Sequence, residues 1–197
     1  MPELPDVEVL KQYLDATSIH QGIKAVEVRD SRILEDTSTE KLKTGLKGRS
    51  LDSTRRHGKY LFAELSDNHW LVLHFGMSGE LKYFKSMEKD PEYDQLLISF
   101  SNGYHLAYNA PRKLVLVALI ENMEAFVEKK ELGPDAMSLD PAGFQKVLSG
   151  RRGMVKSTLM NQQIIAGIGN VYSDEILFQA RLHPRVGVDE LDAETLK

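Results

Sequence analysis

Residues 60–79, YLFAELSDNHWLVLHFGMSG, indicate the fold class of the first two-thirds of the chain. Two runs of aliphatic and aromatic residues, Tyr60–Leu65 and Leu71–His74, are separated by a polar turn, as in a β-hairpin. The Ser78-Gly79 pair then marks a second turn. Many short strands at this spacing predict a two-sheet sandwich or barrel. Similar runs occur on both sides, at Ala25–Val28, Leu96–Phe100, Tyr104–Tyr108 and Leu114–Ile120.

Helical patterns lie before and after these strands. Val7, Leu10 and Leu14 recur at helical spacing behind Pro5, which predicts an N-terminal helix. We therefore predict an α+β protein, with an N-terminal helix and β-sandwich domain at 1–132, a linker at 133–141, and a helical domain at 142–197. The helices predicted for the last domain are Pro141–Leu148, Val155–Gln163, Asn170–Ala180 and one that starts at Asp189 and runs to Lys197.

Composition narrows the class of protein. No apolar run approaches the roughly 18 residues that cross a membrane, so no membrane partner is expected. Cysteine is absent, which excludes disulfides and thiolate metal sites within these residues. We expect a monomer, cytoplasmic and nucleoid-associated if the source is bacterial.

The net charge of −4 argues against a nucleic-acid partner, but the charge is unevenly distributed. The window 43–59 holds six Lys or Arg and one acid, and the window 141–173 holds four Lys or Arg and no acid. Local field rather than net charge decides what binds. The two windows fit either a nucleic-acid surface or two solvated basic faces on an acidic protein.

The N-terminus could carry nucleophilic chemistry. Once Met1 is removed, Pro2 exposes a secondary amine, part of which is unprotonated at neutral pH. Such an amine can attack a sugar carbon and form an iminium, and the adjacent carboxylate of Glu3 could move protons. The alternative is a helix lead-in, with Glu3 stabilising the helix N-terminus.

Two further segments could contact DNA in the sandwich domain. The segment Arg55–Tyr60 brings cations to the start of a strand, which suits phosphate contact, although it could be an exposed basic edge. In the segment His74–Gly79, Met77 lies between glycines and could fill the space left by an extruded base. Alternatively, it folds back on the core.

The segment Ile164–Tyr172 offers a phosphate site in the helical domain. Two glycines separate two helices, and Asn170 could cap the second, whose backbone N–H groups favour phosphate. Lys156 lies on the preceding helix, within the acid-free window. The alternative is an ordinary helix hairpin.

The order of six motifs is more specific than any one of them. Together they resemble the formamidopyrimidine-DNA glycosylase/endonuclease VIII family over the whole chain, and the start resembles the formamidopyrimidine branch more closely. The motifs are Met-Pro-Glu-Leu-Pro-Asp-Val-Glu at the start, Arg-His-Gly-Lys-Tyr-Leu near 60, His-Phe-Gly-Met-Ser-Gly near 77, Ala-Pro-Arg-Lys near 112, Leu-Gly-Pro-Asp near 134 and Gly-Ile-Gly-Asn-Val-Tyr near 170.

The resemblance implies roles for individual residues. Pro2 matches the nucleophile that attacks C1′, Glu3 the acid that protonates the sugar ring oxygen, and Lys59 a strand lysine that engages phosphate and assists catalysis. The DNA-contact positions are phosphate contacts at His74, Lys156 and Asn170, with Tyr172 beside them in the helix-two-turns-helix element, and gap-filling residues at Met77, Arg112 and Leu114, of which Arg112 would face the orphaned base.

Three positions depart from the family pattern. Leu114 replaces the usual Phe, Ala110 replaces the acid that usually precedes Pro-Arg, and Asp6 replaces Glu. Because of these changes, the preferred lesion and the preferred opposite base stay open. Catalysis is less affected.

The resemblance implies a bifunctional DNA glycosylase and AP lyase of base excision repair, acting on double-stranded damaged DNA. It would remove oxidised bases, with purines favoured, through a Schiff base at Pro2, and nick the strand by β-elimination. The alternative is a non-catalytic module that binds damaged or abasic DNA and lacks the zinc finger. The family's cysteine-ligated zinc site would lie beyond Lys197, so no metal or cofactor is expected within this chain, which we expect to be a fragment with an incomplete helix-two-turns-helix domain.

Overall fold

A computed structural model describes residues 1–192 and divides into two compact units, Met1–Phe126 and Val127–Lys197. Among the described residues, no helix has the length and apolar character that a membrane crossing needs. The elements are α1 (Leu4–Ser18), β1 (Ile23–Val28), α2 (Thr39–Leu46), β2 (Leu51–His57), β3 (Tyr60–Leu65), β4 (Trp70–His74), β5 (Glu80–Phe84), β6 (Asp94–Phe100), β7 (His105–Asn109), β8 (Leu116–Ile120), α3 (Met123–Lys129), α4 (Pro141–Leu148), α5 (Val155–Met160) and α6 (Asn170–Gln179).

The first unit is a sandwich of two antiparallel sheets, with strand orders β1-β6-β7-β5 and β2-β3-β4-β8. One apolar cluster joins the two sheets to α1 and α2, because alternate residues of each strand point inward. Leu61 and Leu73 enter it from one sheet, and Leu96 and Tyr108 from the other. The predicted α+β class, with a helix and sandwich followed by helices, is confirmed.

Four elements of this region lack a strong apolar pattern and were not predicted from the sequence. In β2 only Leu51 is buried, and the strand is otherwise polar. In α2 only Leu42 and Leu46, one turn apart, are buried. Strands and helices as short as β5, which buries Leu81 and Phe84, and α3, which buries only Phe126, also bury few residues. Elements that bury so few residues give no periodic signal.

The second unit packs helices around a separate apolar cluster that includes Leu148, Leu159 and Leu177. Helix α5 ends at Met160, so the predicted helix Val155–Gln163 was three residues too long. The predicted linker 133–141 is packed within this unit, because Asp135 is buried and pairs with Ala166. Where a helix was predicted from Asp189, there is a 3-10 turn, Val188–Glu190, and residues 193–197 lie outside the described residues.

A charge cluster with one buried member joins Arg29, the residue after β1, to the start of β6. Arg29 bonds the carboxylates of both Asp90 and Asp94, and its Nη2 lies 2.6 Å from Asp90 Oδ2. The Asp94 side chain is fully buried. Burial raises the pKa of Asp94 to about 6, with a further rise from Asp90 that opposes the effect of Arg29. Asp94 therefore keeps its proton in the fold at pH values where the unfolded chain has lost it.

We expect this group to make the fold less stable as pH rises. A carboxyl whose pKa is raised by folding stabilises the folded state at pH 4, and that contribution is lost as pH rises through 6. The loss should be about 3 kcal/mol of unfolding free energy. In Asp94→Asn that pH-dependent loss should disappear. Urea unfolding at pH 4 and pH 7.5 measures both, and equal pH dependence in the two proteins would contradict the assignment.

Candidate active site

The N-terminus is organised by the start of α1. Glu3 caps the helix and is buried, with 2% of its surface exposed. Its backbone N–H donates to Asp6 Oδ2 at 2.8 Å, so the Asp6 carboxylate satisfies a donor that the helix leaves open. Asp6 is shorter than the glutamate usual in the family, but its carboxylate still reaches the Glu3 N–H. It therefore stabilises the start of α1, which positions Glu3.

Pro2 borders an open depression of about 400 Å³. Met1 and Asp6 line the same depression, and so does Gly79, which follows the Met77 loop in sequence. Removal of Met1 would place the secondary amine of Pro2 at this opening. The nucleophile candidate and the loop that carries Met77 are thus neighbours, although 75 residues separate them in the sequence.

Lys59 lies in the two-residue turn between β2 and β3, just before the predicted strand Tyr60–Leu65, whereas the family resemblance implied a strand lysine. Gly58 takes a positive φ of 57°, which such a tight turn requires. Lys59 is only 6% exposed. Burial lowers the pKa of Lys59, and the negative charge of Glu3 opposes that shift. A buried lysine beside a carboxylate is suited to proton transfer as well as to phosphate contact.

His74 ends β4, directly opposite Tyr60 of β3, and the two ring centroids are 4.7 Å apart. Since Tyr60 follows Lys59, the strand pairing places His74 at the same end of the sheet as Lys59. The Gly76 N–H donates to His74 Nδ1 at 3.3 Å. A neutral ring would therefore carry its proton on Nε2, where it could donate to a phosphate oxygen.

Three exposed side chains form a cluster beyond this sheet end. Arg112 Nη1 lies 3.8 Å from Met77 Sδ, and Met77 is 45% exposed. Leu114 is 60% exposed. A Cβ added at Gly76 would lie 1.4 Å from the Leu114 carbonyl oxygen, so the two loops touch through their backbones. Met77 therefore does not fold back on the core, and the two loops that carry the three predicted gap-filling residues are in contact.

The loop that carries Arg112 has an anchor that the sequence did not indicate. Leu114 precedes β8, which begins at Leu116, so the predicted strand Leu114–Ile120 started two residues too early. Lys113 has a positive φ of 54°, and its Nζ lies 2.9 Å from Asp30 Oδ2. This ion pair joins residues 83 positions apart, and only the fold reveals it.

The second unit places its predicted contacts around the start of α6. Asn170 is the first residue of that helix, and Gly169 takes the cap position, so Asn170 is not the cap that the sequence analysis expected. Tyr172, two residues further on, is 40% exposed. Lys156 Nζ lies 2.6 Å from Asp174 Oδ1. The acid-free window ends just before Asp174, which hid this ion pair from the sequence analysis.

Within residues 1–192, no group of three or more His, Asp or Glu side chains could hold a metal ion. The chain has no cysteine. The chain therefore supplies no cysteine ligand to the zinc site that the family resemblance places beyond Lys197.

Comparison with known proteins gives consistent matches. Residues 1–117 match the family model of the formamidopyrimidine-DNA glycosylase N-terminal domain, and residues 132–197 match the model of the H2TH domain of the same proteins. Formamidopyrimidine-DNA glycosylase of Wolbachia pipientis subsp. Culex pipiens is 32% identical over 93% of this chain and 68% of that protein. The Moorella thermoacetica protein of the same name is 33% identical over 98% of this chain and 72% of that protein. The structure of Lactococcus lactis Fpg in complex with DNA that contains an abasic site superposes with a TM-score of 0.92, at 29% identity, over 99% of this chain and 73% of that one.

Proposed function

The chain belongs to the formamidopyrimidine-DNA glycosylase family, and from that membership we propose that it excises oxidised bases, chiefly purines, from duplex DNA. We propose further that the Pro2 amine is the nucleophile and that the same site then cleaves the strand. Two observations support this proposal. Pro2 lies beside an open depression, and the adjacent Glu3 interacts electrostatically with the buried Lys59.

The proposed chemistry begins at C1′ of the damaged nucleoside. The Pro2 nitrogen forms a bond to C1′ while the glycosidic bond breaks, and the base departs with that electron pair and takes up the proton that the Pro2 amine loses. Glu3 protonates the ring oxygen O4′ as its bond to C1′ opens, which leaves a cationic iminium between Pro2 and the sugar. Loss of a proton from C2′ then breaks the C3′–O bond, and the downstream strand leaves with its phosphate. Water finally hydrolyses the iminium and restores the amine.

Lys59 is proposed to hold a phosphate beside the reacting sugar. A lysine inside a largely dehydrated site attracts a phosphate more strongly than one in water, because the local dielectric is low. His74 lies at the same end of the sheet and would contact the phosphate backbone of the same strand. Both groups would orient the sugar toward Pro2, which is the positioning that such a displacement requires.

The exposed cluster of Met77, Arg112 and Leu114 is proposed to fill the gap that the flipped nucleotide leaves. Apolar side chains that enter the base stack replace part of the lost stacking, and Arg112 offers hydrogen-bond donors to the unpaired base. Leu114 lacks an aromatic face, so it would contribute less stacking than a phenylalanine.

The function is tested with two duplexes, one carrying 8-oxoguanine and one carrying a preformed abasic site. Under single-turnover conditions we expect strand cleavage of both by the wild-type protein. Glu3→Gln should slow excision of 8-oxoguanine by at least about 100-fold, since it removes the proposed acid. Specific binding to the abasic duplex without any cleavage would instead support the non-catalytic module.

Lys156 is predicted to contribute one phosphate contact. Lys156→Ala should weaken binding to all DNA sequences alike and reduce the slope of log K against log salt by roughly one unit. Asp174→Asn is the matched control, because it frees Lys156 from its ion pair and should tighten binding. Fluorescence anisotropy over a salt series measures both, and an unchanged slope in Lys156→Ala would exclude that contact.

A further inference from the structure

The turn between α5 and α6 is held by a side chain to which the proposed mechanism gives no role. Gln162 Nε2 donates to the Met160 carbonyl at 2.7 Å and to the Ile168 carbonyl at 2.8 Å. Its Oε1 accepts from the Gly167 N–H at 3.0 Å. The amide thus uses both donors and its acceptor on the backbone of one turn, which fixes its orientation.

These three bonds connect the end of one helix to the start of the next. Met160 is the last residue of α5, and Ile168 lies two residues before Asn170, the first residue of α6. Gly167 has a φ of 117°, a conformation that side-chain-bearing residues rarely adopt. The hydrogen bonds of the Gln162 side chain therefore stabilise this sharp reversal of the backbone.

The Leu-Gly-Pro-Asp motif supports the same turn from its other side. The Gly133 N–H donates to the Gln162 carbonyl at 2.9 Å, and the Ala166 N–H donates to the Pro134 carbonyl at 2.9 Å. A Cβ at Gly133 would lie 2.5 Å from the Ile164 carbonyl oxygen, so only glycine allows this approach. The motif near 134 is explained by this contact.

We propose that Gln162 is a positioning residue for DNA binding, which sets where the Asn170 side chain meets the phosphate. The inference rests on the proposed function in DNA binding and on the phosphate contact that the family resemblance implies for Asn170. Gln162 is half-buried, and its amide is fully engaged with backbone, so it acts through Asn170 and does not itself touch DNA. A displaced turn would weaken binding and leave the chemistry at Pro2 unchanged once DNA is saturating.

The test is a double-mutant cycle between Gln162→Met and Asn170→Ala. Methionine keeps the length of the side chain and removes all three hydrogen bonds. We expect Gln162→Met to raise the Kd for a duplex with a tetrahydrofuran abasic analogue by about 10-fold, and by less than about 2-fold when Asn170 is already alanine. The single-turnover rate at saturating abasic DNA should change by less than about 2-fold.

Gln163→Met is the matched control. Gln163 is the exposed neighbour, and its amide bonds Glu131 Oε2 at 2.6 Å, away from the turn backbone. That variant should bind like the wild-type protein, and thermal unfolding of all variants should show that they are folded. Equal losses of affinity from Gln162→Met in both backgrounds, or no loss at all, would overturn the inference. If the wild-type protein neither bound nor cleaved the duplex, the proposed function would fail, whereas intact binding with an additive cycle would contradict only the role of Gln162.

Discussion

A fusion partner joined ahead of Pro2 should reduce the borohydride-trapped complex with abasic duplex DNA by roughly three orders of magnitude or more, because it removes the nucleophile. In the fusion the Pro2 nitrogen is part of a tertiary amide, and its lone pair is delocalised into a carbonyl group. Such a nitrogen cannot attack C1′ or form an iminium. The depression beside Pro2 and the buried Glu3 would remain, so the loss would report the amine alone.

The same fusion placed after Lys197 controls for bulk, and it should leave trapping intact. The intact mass of the unfused protein shows whether Met1 has been removed, since only that form exposes the amine. Peptide mapping of the reduced complex should place the sugar on Pro2. Recovery of the adduct on Lys59 would contradict the assignment. Lys59 is the alternative nucleophile, because it is a buried amine with a lowered pKa that interacts with the charge of Glu3.

The sandwich could be predicted because its central strands are apolar over several residues. Tyr60–Leu65 was predicted with the bounds that the structure has, since five of its six residues are apolar and four of them are buried. Strand β2 was missed for the opposite reason. It lies at a sheet edge, and its arginines give it the pattern of a basic loop. Hydrophobic periodicity indicates buried surface, and an edge strand has little of it.

The candidate site was predicted as a set of residues, but its geometry could not be. The Pro-Glu start suggested a nucleophile and an acid from elementary chemistry, and the family resemblance supplied Lys59. That Glu3 and Lys59 interact follows only from the packing of α1 against β2 and β3. Likewise, the pairing of Lys156 with Asp174 depends on two helices, and counting charges along the sequence could not detect it.

The backbone contact between Gly76 and Leu114 predicts a large loss of stability when Gly76, next to the gap-filling cluster, is substituted. Gly76→Ala should lower the free energy of unfolding by about 3 kcal/mol, because the added Cβ would overlap the Leu114 carbonyl oxygen and the positive φ of 53° would be strained. The two loops can relieve the overlap only by separating. Separation would move Met77 away from Arg112, whose Nη1 now lies 3.8 Å from its sulfur.

Gly48→Ala separates the strain from the overlap. Gly48 has a φ of 82°, and an added Cβ there would meet nothing within 4 Å, so this variant should lose only about 1 kcal/mol. Urea unfolding measures both losses, and equal values would show that the overlap with Leu114 is relieved without loss of stability.

The same two variants should also differ in their effect on activity. Gly76→Ala should slow excision of 8-oxoguanine more than it slows cleavage at a preformed abasic site, because only excision requires an intact base to be flipped and its place filled. Gly48→Ala should leave the ratio of the two rates unchanged, so a shift in that ratio ties the exposed cluster to base extrusion independently of overall stability.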